Sequence, residues 1–290
     1  LQDIQTAQRL QSAFERVSTE SAILRTRIVQ VPRRGLMQLV VRANTPWLTS
    51  SNLTEYLSID TLKGMSLGTE LARFAIVNDK TTSRISIVLS IHHALYDGWS
   101  MPLIVDRVNR AYRGESIGTP APFKNFIKWL GDTDRASTET YWATQLEGAT
   151  SLQFPLIPYT GYQARADSLL EHYVKLPRAS SSSTTSIATA IRGAWGLLAA
   201  HYTSSDDIVF GETMTGRTAP VAAVEEIEGP MITTVPVRVC IDRKARASSY
   251  LQQIHDQTVD RIPHEHMGLQ HIRRLNADAR EACELRTGIV

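Results

Sequence analysis

Apolar positions recur along the chain at two periods, and the switches between them divide it into elements. Ile4, Ala7, Leu10, Phe14 and Val17 have the spacing of one helical face. The tracts LRTRIVQV and MQLVVRA then read as two strands around a turn from Pro32 to Gly35, and Asn52 to Leu62 reads as a helix. Strands are predicted over Ala72 to Val77 and Ile85 to Ile91, since Ile85, Ile87, Leu89 and Ile91 alternate with Ser86, Val88 and Ser90. Helices follow at Ser100 to Tyr112, Pro122 to Leu130 and Thr138 to Leu146. The stretch Phe154 to Pro158 carries two prolines and reads as a linker. Beyond it the pattern predicts a strand from Leu169 to Leu176, a loop at Ser180 to Ser183 and an apolar helix from Ile187 to Tyr202. Strands at Asp207 to Gly211 and Thr233 to Ile241 and a helix at Ser249 to Arg261 complete the reading. The alternation of helices and strands predicts an α/β fold, whose first body runs to about Gly161.

One segment carries chemistry. Residues 91–100 read IHHALYDGWS, which sets paired imidazoles at the end of a predicted strand with a carboxylate just beyond. An imidazole accepts a proton near neutral pH, and a nearby carboxylate orients it. If the extended conformation continues one residue past the strand, His92 and His93 point to opposite sides, so that one packs inward and the other faces a cavity. A single histidine at a strand end is most often a packed or surface residue, and Asp97-Gly98 alone is a turn signal. The remaining histidines stand apart, except in His264-Glu265-His266, where a closed metal site lacks its further donors. No metal is expected.

Composition narrows the class. The chain has 290 residues, 42% hydrophobic and 21% charged, enough to bury a core and too apolar for disorder. Its 31 Lys and Arg against 29 Asp and Glu give a net charge of +2, which offers nucleic acid no electrostatic footprint. No apolar run reaches bilayer length, and the first residues lack the layout of a signal peptide, so a cytoplasmic location without a membrane partner is the expectation. Cys240 and Cys283 read as free thiols.

IHHALYDGWS resembles the HHxxxDG signature of condensation domains of nonribosomal peptide synthetases, within the chloramphenicol acetyltransferase-like acyltransferases. Other blocks follow in that family's order. Leu24-Arg25-Thr26 is similar to the end of RHExLRTxF, although Glu20, Ser21 and Ala22 stand where it has Arg, His and Glu. The tract PFKNFIKWL looks like the YxDFAVW block, and Tyr141-Trp142 with Leu146 and Gly148 looks like the helix after it. DDIVFGETMTGR, residues 206–217, resembles the strand before a Ser-Gly-Arg turn, with Thr215 replacing serine. EGPMITTVPVRV, residues 228–239, resembles GxFVNTxxxR, with Thr233 replacing asparagine, and IPHEHMGLQHI resembles the PFE-containing segment of fungal members. No counterpart of the family's first or closing motif is found, so the resemblance implies a domain body incomplete at both ends.

This resemblance implies two acetyltransferase-like lobes flanking a substrate tunnel, one over residues 1–161 and a second, partial one over 162–290, and an acyltransferase that joins carrier-bound aminoacyl or peptidyl thioesters. No cofactor is bound by the domain itself; the substrates ride on the phosphopantetheine of donor and acceptor peptidyl carrier domains, with an adenylation domain adjacent. The implied site is His93 as general base or positioning acceptor, His92 in a structural role, Asp97 orienting the loop, and the Gly98 N–H facing the developing oxyanion. Arg25 is the expected partner of Asp97, because a buried carboxylate without a partner is costly. Arg217 and Arg238 either line the tunnel or form ion pairs, and Trp99 and Trp195 are expected in the core. A terminal cyclising domain, an epimerisation domain and a non-catalytic carrier-docking domain are the alternatives.

Overall fold

The alternating tract before the double histidine folds as its pattern requires. In the computed structural model, which describes residues 1, 3–43, 45–149, 153–159, 161–175 and 185–290, two compact units are present. The first comprises Leu1–Asp132 with Arg217–Ile232, and the second Thr133–Gly216 with Thr233–Val290.

In the first unit, α1 (Ile4–Glu20) begins at Asp3, whose carboxylate accepts the Thr6 N–H at 2.6 Å, a side-chain N-cap. The strands β1 (Thr26–Val31) and β2 (Gly35–Val40) form the expected hairpin. A second sheet follows, in the order β3 (Trp47–Ser50), β4 (Ala72–Asp79), β5 (Arg84–Ile91), with α2 (Leu53–Leu62) between its first two strands. β3 runs parallel to β4, and β4 pairs antiparallel with β5 in a register that sets Ala72 against Ile91. On one face Phe74, Leu89 and Ile91 join Val17, Leu24, Leu95, Ile104 and Val108 in a single apolar core. On the other, Val88 packs with Ala75, Val77 and Tyr56. β5 is therefore covered on both faces, and the helices α3 (Ser100–Tyr112) and α4 (Phe123–Asp132) complete the chain of elements around it.

In the second unit, α5 (Arg135–Leu146) and α6 (Ile187–Thr203) precede a sheet of β6 (Asp207–Met214) and β7 (Thr233–Cys240), joined at the other edge of β6 by β8 (Gly288–Ile289). The helices α7 (Ala247–Arg261), α8 (Leu269–Ile272) and α9 (Ala277–Ala282) lie between β7 and β8 in sequence. Trp142 and Leu146 of α5, Phe210 and Val237 of the sheet, and Tyr250 and Ile254 of α7 share one core. Glu212 on β6 is buried and pairs with Arg192 and, at 2.6 Å, with Arg261.

The boundary between the units differs from the expected one near residue 161. The helix α5 belongs to the second unit because Trp142 and Leu146 bury against β6 and β7. Residues 217–232 belong to the first because Ala219, Ile227 and Met231 pack on Phe126 of α4. The strand expected at Leu169 to Leu176 is also corrected. Residues 169–175 form no regular element, and Leu170 is 96% exposed; Leu176 and the expected Ser180 to Ser183 loop lie outside the described residues. An apolar tract alone does not make a strand, whose N–H and C=O groups need a neighbouring ladder.

Candidate functional site

The site grows from the end of β5. After Ile91 the backbone stays extended only at His92, whose N–H bonds the Leu71 carbonyl at 2.8 Å. A single 3-10 turn then spans His93–Leu95, with the Ala94 N–H donating to Nδ1 of His92 at 3.0 Å. The early turn defeats the expected alternation, and neither histidine packs inward: both are exposed. The ring of His93 stacks on Tyr96, with centroids 4.6 Å apart and planes 21° from parallel. Leu95 is fully buried and anchors the turn in the core below.

Asp97 is the buried pivot of the loop, at 2% exposure. Its Oδ1 accepts the Ser100 N–H at 2.7 Å and the Trp99 N–H at 3.2 Å, so Asp97 caps the amides at the start of α3. Its Oδ2 accepts the Met231 N–H at 2.8 Å and the Ile232 N–H at 3.2 Å. Arg217 approaches Oδ1 at 3.4 Å and donates more closely to the carbonyls of Val224, Ile227 and Gly229, at 2.8, 2.8 and 3.0 Å. The Ser100 and Met231 contacts have the length of charge-assisted bonds and the arginine contact does not, so backbone amides hold Asp97 and Arg217 supplies a favourable field. Burial alone pushes the Asp97 carboxyl up; the Met231 and Ser100 donors and the Arg217 charge outweigh it and hold the group below the usual carboxylate range.

Arg25 is not the partner of Asp97. Its guanidinium donates to the carbonyls of Ser18, Val41 and Thr19, at 2.8, 2.5 and 3.2 Å, tying the end of α1 to the chain after β2. Gly98 is exposed, and a Cβ built on it meets no heavy atom within 4 Å. Trp99, expected in the core, is 41% exposed and donates its indole N–H to the Glu225 carbonyl at 3.0 Å. Arg217 and Arg238 both form ion pairs, the second with Asp207 at 2.8 Å.

The other histidine cluster is structural. His264 stacks on Tyr141 and meets the Thr138 hydroxyl at 3.1 Å, while the Nε2 of His266 lies 3.1 Å from the Gly216 carbonyl oxygen. Burial pulls the His266 imidazole down to about 4, and the carbonyl opposes it only partly. Among the described residues no group of His, Cys, Asp and Glu has the arrangement of a metal site, and no helix is long and apolar enough to cross a membrane.

The condensation domain family model matches residues 4–285. The chain is 61% identical over 290 residues to nonribosomal peptide synthetase 1 of Ajellomyces capsulatus, and 56% identical over 292 residues to nonribosomal peptide synthetase SIDD of Beauveria bassiana. All of the chain is matched in both comparisons, yet it spans only 16% of either protein. Among solved structures, the first condensation domain of the calcium-dependent antibiotic synthetase with a substrate analogue superposes with a TM-score of 0.64 at 15% identity, covering 97% of this chain and 71% of that one. The crystal structure of CT superposes with a TM-score of 0.70 at 20% identity, covering 96% and 64%. These likenesses establish the α/β fold of condensation domains.

Proposed function

Because the chain belongs to the condensation domain family of nonribosomal peptide synthetases, we propose that it forms an amide bond between two carrier-bound aminoacyl or peptidyl thioesters, with His93 at the reacting centre. The observation that carries this reading is the loop itself: two exposed imidazoles on a turn whose carboxylate is buried and saturated with donors. Asp97 is occupied by the fold and has no oxygen to spare for substrate, and of the two exposed imidazoles His92 already has its Nδ1 taken by the Ala94 N–H, so this reading assigns the reaction to His93.

In the proposed reaction the acceptor amine attacks the donor thioester carbonyl, the C–N bond forms, and the C–S bond breaks to release the phosphopantetheine thiol. His93 takes the proton that the amine nitrogen must lose and passes it to the leaving sulfur, or holds the amine in line for attack. The Gly98 N–H faces the oxyanion, and His92 fixes the turn through Ala94. Both substrates arrive on the phosphopantetheine arms of donor and acceptor peptidyl carrier domains, with an adenylation domain adjacent. The domain itself holds no cofactor in this reading.

The test is His93→Ala, in a polypeptide presenting the chain with loaded donor and acceptor carriers and product followed by mass spectrometry. Product formation is expected to fall by about 100-fold or more, with the circular dichroism spectrum unchanged. Turnover near that of the parent removes His93 from proton transfer. A parent that yields only substrate inverted at its α-carbon, and no amide, replaces condensation by epimerisation.

A further inference from the structure

We propose that Glu228 is a remote positioning residue for the histidine loop, an inference that rests on the amide-forming reading above. Glu228 stands three residues before Met231, in the segment whose amides hold Asp97. Its carboxylate is buried, accepting from Arg107 Nη1 on Oε1 at 2.8 Å and from the Ser21 hydroxyl on Oε2 at 2.5 Å. Arg107 is fixed in turn by the carbonyls of Ile117 and Gly118, at 3.1 and 3.0 Å.

Arg107 also lies on α3, the helix that Asp97 caps. The segment is thus tied to α3 at two levels, through Asp97 at the start of the helix and through Arg107 two turns along it. Between these ties the Gly229 carbonyl receives Arg217. With both ties made, the Met231 and Ile232 amides have a defined place relative to the end of β5, and so has the carboxylate they grip.

Stability is a poor explanation for this ion pair. The cost of desolvating two buried charges offsets most of their attraction, and apolar replacements of buried pairs are often neutral or better. What a carboxylate with two directional donors supplies, and an apolar side chain does not, is a fixed position. A displacement of about 1 Å at a reacting centre can reduce rate by about 100-fold.

Glu228→Gln keeps the shape and removes the charge, and Glu226→Gln, at an exposed position in the same segment, is the control. Hydrogen exchange on the chain is expected to show the Met231 and Ile232 amides exchanging about tenfold faster or more in Glu228→Gln, with the β4 and β5 amides as in the parent. In the carrier-bearing polypeptide the maximal rate is expected to fall about tenfold or more, while the acceptor concentration for half-maximal rate stays constant. Glu226→Gln is expected to leave both unchanged. Parental protection at Met231 and Ile232, uniformly faster exchange across the first unit, or an undiminished maximal rate each overturns the proposal. If the parent forms no amide at all, the amide-forming reading fails by itself, and the exchange measurement still decides whether Glu228 holds the amides.

Discussion

Asp97 shows how one side chain sets the properties of a loop, and why a neutral isostere cannot replace it. Both of its oxygens face N–H donors: Ser100, Trp99 and Arg217 on one, Met231 and Ile232 on the other. Asparagine must turn its NH2 toward one of these sets, whichever way it is flipped. Asp97→Asn is therefore expected to destabilise nearly as much as Asp97→Ala, by about 3 to 5 kcal/mol in chemical denaturation. Parental stability for the Asn variant would show that the amides are not what holds the carboxylate. A double-mutant cycle of Asp97→Ala with Arg217→Ala is expected to couple by about 0.5 to 3 kcal/mol, and one with Arg25→Ala to be additive. The motif residues themselves were legible, because His92, His93, Asp97 and Gly98 are contiguous. The partners of Asp97 were not: Arg217 lies 120 residues away, and backbone amides leave no trace in side-chain identity.

Among the elements, those with an apolar period and a covered face were readable to within a few residues, as α1, β5, α3 and α6 show. The failure at Leu169 to Leu176 has the opposite cause: its apolar residues Leu169, Leu170, Tyr173 and Val174 are exposed and find no ladder among the described residues. The segment 217–232 shows in sequence as motif fragments and not as a body, since irregular backbone has no period. Its fit is nevertheless close. Gly229 has φ +152°, and a Cβ there would meet Cδ2 of Phe123 at 2.5 Å. Gly229→Ala is expected to cost about 1 to 3 kcal/mol from backbone strain and overpacking together. The pair of variants Gly229→Ala and Gly229→Ala/Phe123→Leu separates the two: a full recovery in the second makes the ring the sole cause, and no recovery makes it the backbone.

At the scale of the whole molecule, acid has a definite point of entry. The ordinary imidazole value of 6.5 falls to about 4 for buried His266, so the unfolded chain binds a proton there that the folded one refuses. The stability this contributes is complete above pH 6.5 and is lost as pH falls toward 4, a change on the order of 3 kcal/mol. Denaturation midpoints measured between pH 7 and 4.5 are expected to decline less steeply in His266→Gln than in the parent; equal slopes would place the acid sensitivity elsewhere. The family resemblance implies two α/β lobes but not their division, because contiguity is what a linear reading assumes and the chain visits the first unit twice. That double visit has a consequence for recombination. A chimaera joined at a single crossover after residue 132 would combine the HHALYDG loop of one parent with the Arg217–Ile232 segment of the other, and the buried carboxylate would meet foreign amides. Exchange of the first unit between synthetases therefore requires a second, internal graft of residues 217–232, with β6 and β7 as its borders.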